Sequence, residues 1–225
     1  MQQELVLSGV GGQGILVAAK LLGHAAVRAG RRALYFSMFQ GAQRGGVCDC
    51  LMALADGRVD ASPVIMQPLV GNLSMHPNSF LRFEPMIKPG GLIVYNTSIT
   101  RGTSETGMST GEGLAIKADT MIDLTPKRKD ITYLAIPATD LALEHLGNQL
   151  QATLVALGAF LQLGQPVRLE DVLASMEDAL PAHRRHHIPA NEKALRLGFD
   201  WAKSHAGEVR NPAALRLLGA APVAS

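Results

Sequence analysis

Six residues near the start of the chain, Gly9-Val10-Gly11-Gly12-Gln13-Gly14, have the make-up of a phosphate cradle. Glycines at 9, 11 and 14 fit the G-x-G-x-x-G spacing of dinucleotide-binding turns. The run lies between an apolar strand signal, Leu5-Val6-Leu7, and a helix signal over 15–29, as such a turn requires. Glycine lets the backbone turn tightly and approach a ligand closely, and unpaired N–H groups at a helix start favour an anion. Three readings stay open: a tight turn with no ligand, an anion or phosphate site at Gly9, Gly11, Gly12, Gln13 and Gly14, or NAD(P) redox chemistry. The last lacks its usual supports. Residues 34–38 hold no Asp or Glu for a ribose hydroxyl, and Arg31 and Arg32, candidates for a 2′-phosphate, precede the second strand. None of Tyr35, Tyr95 and Tyr133 begins a Tyr-x-x-x-Lys pair.

A second glycine run, Gln40-Gly41-Ala42-Gln43-Arg44-Gly45-Gly46, leads into another strand signal. An Arg beside paired glycines offers a bidentate cation next to an approachable backbone, which suits phosphate or carboxylate. Gln43, Arg44, Gly45 and Gly46 are therefore candidate binding residues, against the plainer reading of a glycine turn with a solvated Arg. Cys48 and Cys50 alternate along that strand, face one side, and read as buried structural thiols. His183-Arg184-Arg185-His186-His187 is either an anion site or a solvated loop between helices. No Gly-x-Ser-x-Gly elbow marks a hydrolase nucleophile, and Glu170-Asp171 at a helix start complements the helix dipole. No residue is assigned a catalytic or metal-binding role.

These loops need elements to hold them. Apolar runs of strand length alternate with helix-like stretches, the pattern of an α/β layer fold with a mainly parallel sheet and a helical C-terminal part. Strand signals fall at 5–7, 33–36, 47–54, 92–95 and 131–136, with Pro89-Gly90-Gly91 reading as a break before the fourth. Helix signals follow 15–29 at 140–146, 149–163, 169–180 and 190–204, and 100–113 reads as an exposed loop. The 225 residues suit one domain over 1–205 and a flexible tail over 206–225. With 47% hydrophobic and 18% charged residues the chain can fill a sizeable core, and a net charge of +2 argues against nucleic acid. Two cysteines are too few for a disulfide scaffold or an iron–sulfur cluster. No apolar run reaches the roughly 18 residues of a membrane span and no signal peptide precedes the first strand, so a cytoplasmic, membrane-free protein is expected.

Taken together, the two glycine loops resemble those of the gamma subunit or domain of the 2-oxoacid:acceptor (ferredoxin) oxidoreductases. Gly41-Ala42-Gln43-Arg44-Gly45-Gly46 is particularly similar to the small subunit of the indolepyruvate branch; other branches carry a Tyr-Gly and a Glu before Arg-Gly-Gly. Ser62-Pro63, Lys88-Pro89-Gly90-Gly91, Asn96-Thr97, Ile136-Pro137-Ala138-Thr139, Leu146-Gly147-Asn148, Leu157-Gly158-Ala159 and Asn191 with Gly198 follow in order. The likeness thus spans about residues 4 to 202, and it departs at 70–77 and 100–113. It implies a gamma-type domain over 1–205 that works in a heteromeric complex. In such complexes a 2-oxoacid is decarboxylated on thiamine diphosphate with Mg, electrons leave through iron–sulfur clusters, and coenzyme A takes the acyl group. This chain carries no thiamine signature, so those cofactors fall to partner subunits, and the resemblance implies that its own part is to assist coenzyme A beside the active site. The Ala-Gln-Arg-Gly-Gly variant leans towards an aromatic substrate, an arylpyruvate such as indolepyruvate or an arylglyoxylate such as phenylglyoxylate. A free-standing nucleotide-sensing module and a small NADP-dependent reductase are the alternatives.

Overall fold

The computed structural model describes residues 2–39, 46–59, 69–102, 120–216 and 218. Its six strands are β1 (Gln2–Val10), β2 (Arg32–Phe39), β3 (Val47–Ala55), β4 (Leu69–Ser74), β5 (Ile87–Asn96) and β6 (Thr132–Ile136). They form one sheet in the order β2-β3-β1-β4-β5-β6. β1, β4, β5 and β6 pair in parallel, whereas β3 runs antiparallel to both β1 and β2. β2 therefore shares the direction of β1, and only β3 is reversed. The mainly parallel α/β architecture expected from the sequence holds.

One face of the sheet is covered by α1 (Ile15–Arg28), α3 (Ala138–Leu146), α4 (Ala152–Gly164), α5 (Leu169–Ala174), α6 (Met176–Ala179) and α7 (Ile188–Ser204). The other receives α2 (Pro77–Phe83) and a 3₁₀ turn, Glu84–Met86. α4 is apolar nearly all round because it lies between the sheet and α7, and such a helix must be buried. α7 carries a narrower apolar stripe on its inner side. The two helices meet at backbone distance: a Cβ on Gly158 would overlap the Leu195 carbonyl, and one on Gly198 the Val155 carbonyl.

Three expectations change. Pro89-Gly90-Gly91 does not break the chain before a strand but lies inside β5, where Gly90 takes φ 88° and the register to β4 slips between Leu69 and Gly71. The sequence reading leaves β4 and α2 unmarked, because buried polar side chains such as Asn72, Ser74 and His76 interrupt their apolar signal. The helix expected over 169–180 divides into α5 and α6 at Ser175, whose hydroxyl donates to the carbonyls of Val172 and Leu21.

The segment after Ala206, expected to be loose, is held against the domain through its described residues. Arg210 exchanges backbone hydrogen bonds with Tyr133, and the Asn211 amide donates to the carbonyls of Arg128 and Ile131. Leu218 is buried over Gly71 and Gly164. Apolar residues of the tail thus fill this domain's own surface.

Candidate functional site

At the end of β1 the chain turns at Gly11-Gly12 and enters α1 through Gly14. Gly12 and Gly14 have φ of 103° and 84°, the left-handed region where a Cβ is strained. Gly9 is small for another reason: a Cβ there would press on the Gln13 amide and on Met75. Gln13 turns inward as a strut, its Oε1 accepting from Val10 N at 2.8 Å and its Nε2 donating to Met75 O at 3.2 Å. The Thr153 hydroxyl of α4 donates to the Gln13 carbonyl, tying the loop to the helical layer.

The second glycine run meets the first at its described edge, where Gly46 O accepts from Gly11 N at 2.7 Å. Gln43, Arg44 and Gly45 lie outside the described residues. The N–H groups of Gly12 and Gly14 have no partner among the described residues, so the loop presents two free donors at the positive end of α1. Two cavities flank it. One, of about 330 Å³, is lined by Gly12, Gly14, Gln151, Arg184, His187 and Asn191 among others. The other, of about 290 Å³, is lined chiefly by Gly11, Gly12, Gln13, Met75, Thr139 and Gln149. Leu150, largely exposed, forms a ridge that lines both.

Two members of the His183–His187 cluster, Arg184 and His187, thus line a cavity shared with the glycine loop, which sequence reasoning could not foresee: they lie about 170 residues from it, in the 3₁₀ turn Ala182–His187 leading into α7. Arg31 goes elsewhere. It donates to Gln3 Oε1 and Pro166 O and pairs with Asp56, at the opposite end of β1 from Gly9. Six residue steps from Gln3 to Gly9 span about 20 Å, so Arg31 cannot meet a phosphate at the glycine loop.

Cys48 and Cys50 point into the core beneath α1, and burial pushes their thiols up to about 11 and about 12, away from the thiolate a nucleophile or ligand needs. No group of three or more His, Cys, Asp or Glu side chains converges as a metal site among the described residues. No described helix is long and apolar enough to cross a membrane.

On the opposite face of the sheet, Asp49 of β3 and Arg82 of α2 form a buried ion pair at 2.7 Å. Beside it, His76 caps α2 by accepting from Asn78 N, and burial together with the Arg82 charge lowers it to about 4, which keeps the ring neutral. Glu84 accepts from the Tyr133 hydroxyl, and burial with this bond pushes the Tyr133 phenol up. These groups hold one another and open on neither cavity.

The sequence model of the family "Pyruvate ferredoxin/flavodoxin oxidoreductase" matches residues 4–201. The indolepyruvate oxidoreductase subunit IorB of Pyrococcus horikoshii is 30% identical over 204 residues, 90% of this chain and 96% of that protein. The 2-oxoglutarate synthase subunit KorC of Methanocaldococcus jannaschii is 26% identical, over 90% of this chain and 95% of that one. In fold, the chain is similar to the gamma subunit of a keto/oxoacid ferredoxin oxidoreductase from Geobacter sulfurreducens, with TM-score 0.66 and 21% identity over 91% of this chain and 98% of that one. It also matches 31% of a 2-oxoglutarate:ferredoxin oxidoreductase from Magnetococcus marinus, with TM-score 0.67 and 18% identity over 90% of this chain. The match of the family's sequence model over nearly the whole chain, with relatives similar along their full length, shows that the chain belongs to the pyruvate ferredoxin/flavodoxin oxidoreductase family.

Proposed function

We propose that this subunit holds coenzyme A beside the active site of a complex that oxidatively decarboxylates a 2-oxoacid to an acyl-coenzyme A. The observation that carries this is the glycine loop, with the free N–H groups of Gly12 and Gly14 opening on two cavities at the head of α1. Donors without an adjacent acid–base pair suit binding, not bond-making, and the two buried cysteines cannot supply a cluster's four thiolates. Thiamine diphosphate, Mg and the iron–sulfur clusters therefore belong to partner subunits, where they supply the decarboxylation and electron transfer. Gln43, Arg44 and Gly45, which precede Gly46 in the sequence, are proposed as further donors to the same ligand. An aromatic 2-oxoacid is the proposed substrate, supported by the Ala-Gln-Arg-Gly-Gly run and by the likeness to an indolepyruvate oxidoreductase subunit.

Affinity purification of the full-length chain from its native cells tests this. The expected result is a brown complex containing thiamine- and cluster-binding subunits that oxidises an arylpyruvate only when coenzyme A is added. In that complex Arg44→Ala raises the Michaelis constant for coenzyme A about ten- to a hundredfold, the loss of a charge-assisted hydrogen bond. A chain that purifies alone, or a complex active without coenzyme A, overturns the reading.

A further inference from the structure

The sheet ends in two edge strands, and the chain treats them differently. β6 is short, and the tail covers it: Arg210 exchanges backbone hydrogen bonds with Tyr133, and the Thr132 hydroxyl donates to the Asn211 carbonyl. β2 is eight residues long and pairs with β3 alone among the described residues. Along such an edge the N–H and C=O groups of every other residue point away from the sheet and offer a template for one more strand. Edges are usually guarded by Lys, Pro or a bulge. β2, Arg32-Ala33-Leu34-Tyr35-Phe36-Ser37-Met38-Phe39, has neither residue and keeps one unbroken register with β3. Its one charge, Arg32, stands at its end. Its middle is apolar and open, with Leu34 41%, Tyr35 39% and Phe36 54% exposed. Tyr35 borders Gly23 on the α1 side of the sheet, so by alternation Leu34 and Phe36 lie on the α2 side.

We propose that β2 pairs antiparallel with β2 of a second copy of this chain, about a two-fold axis that passes through Tyr35 normal to the sheet. The pattern names this occupant because it is symmetric about Tyr35. Leu34 of each copy meets Phe36 of the other on the α2 side, and Tyr35 meets Tyr35 on the α1 side, so every exposed apolar residue of the strand gains an apolar neighbour. An axis normal to the sheet keeps both helical layers on one side, and the six strands of each copy continue as one sheet. Arg32 falls opposite Met38, six residue steps or about 20 Å from the other Arg32, so like charges stay apart. A strand from a different subunit needs no such symmetry.

Sedimentation equilibrium of the full-length chain, without other subunits, tests this. The wild type forms a concentration-dependent dimer. The double variant Leu34→Lys/Phe36→Lys sets like charges opposite each other twice and raises the dissociation constant at least about tenfold. Leu34→Glu/Phe36→Lys sets opposite charges in the same two places and recovers most of that loss. Circular dichroism matching the wild type shows that both variants are folded. Tyr35→Cys links two copies by a disulfide under mild oxidation, because directly opposed residues lie about 4.5–5.5 Å apart, within disulfide reach. Arg32→Cys, far from the axis, does not, and the buried Cys48 and Cys50 leave the wild type unlinked. A chain that is monomeric at every concentration, a dimer indifferent to the paired lysine substitutions, or equal cross-linking from positions 32 and 35 overturns the proposal. A monomer whose paired lysine substitutions instead block recovery of the other subunits from the native complex also overturns it, and assigns the edge to a different chain.

Discussion

The two faces of the sheet are built on opposite principles. The face beneath α1, α4 and α7 is dry and close-packed, with Leu5, Leu7, Cys48, Cys50 and Met52 pointing into it and helix backbones touching at Gly158 and Gly198. The face beneath α2 keeps an apolar cluster around Phe80 and Tyr133 but also buries Ser8, Asp49, Asn72, His76, Arg82 and Glu84. Alternation along the strands separates the two sets, since Cys48 and Cys50 face one way and Asp49 the other. A dry face is specified by volume and fails when volume is added. A polar face is specified by pairing and fails when one partner is removed. The glycine loop sits where the layers meet, braced by Thr153 from the dry side and by the Met75 carbonyl at the end of β4.

Gly198→Ala makes the sharpest break. Its methyl would meet the Val155 backbone, which has no rotamer to give, so α7 must leave α4. A loss of more than about 5 kcal/mol is expected, enough to unfold most domains. Urea titration, or simply the soluble yield, reads it, and a mild effect would mean that the helices do not touch at this point.

Arg82→Met tests the other face. It removes the Arg82 charge from the buried Asp49 carboxylate, at a cost of about 3–5 kcal/mol, whereas the double change with Asp49→Leu recovers most of that. If the double variant is as unstable as the single one, packing and not pairing governs α2.

The smallest effect is a pH dependence. His76 falls from its ordinary 6.5 to about 4 in the fold, so between those values the unfolded chain binds the proton and the folded chain does not. Its contribution is therefore complete above pH 6.5 and is lost as the pH falls towards 4, by up to about 3 kcal/mol. His76→Asn keeps a capping acceptor for α2 and removes the titration, and its urea midpoint loses the corresponding slope across that window. An unchanged slope would place the acid sensitivity on other groups.

Legibility followed the same division. The dry face was visible from residue type: apolar runs at 5–7, 47–54 and 149–163 return as β1, β3 and α4, with ends shifted by a few residues. The polar face was not. Asn72 and Ser74 of β4 and His76 at the head of α2 are buried polar side chains that find partners across the sheet or along the chain. The glycine loop was legible because it is local; its neighbours Arg184, His187 and Gln151 were not, because two distant elements, the 3₁₀ turn before α7 and the start of α4, bring them there.

By itself the sequence determined what depends on neighbours a few residues away: the turn at Gly12 and Gly14, the helix that follows, the alternation that gives each strand two faces, and the family motifs in their order. Tertiary structure alone decided the reversal of β3, the packing of Leu218 over Gly71, the diversion of Arg31 to Asp56, and the arrival of Arg184 at the glycine loop. Local geometry is set by φ, ψ and side-chain volume, which each residue carries with it. The partner of a buried charge or of a free N–H is set by which distant segments must pack together to exclude water, and only the folded chain supplies that.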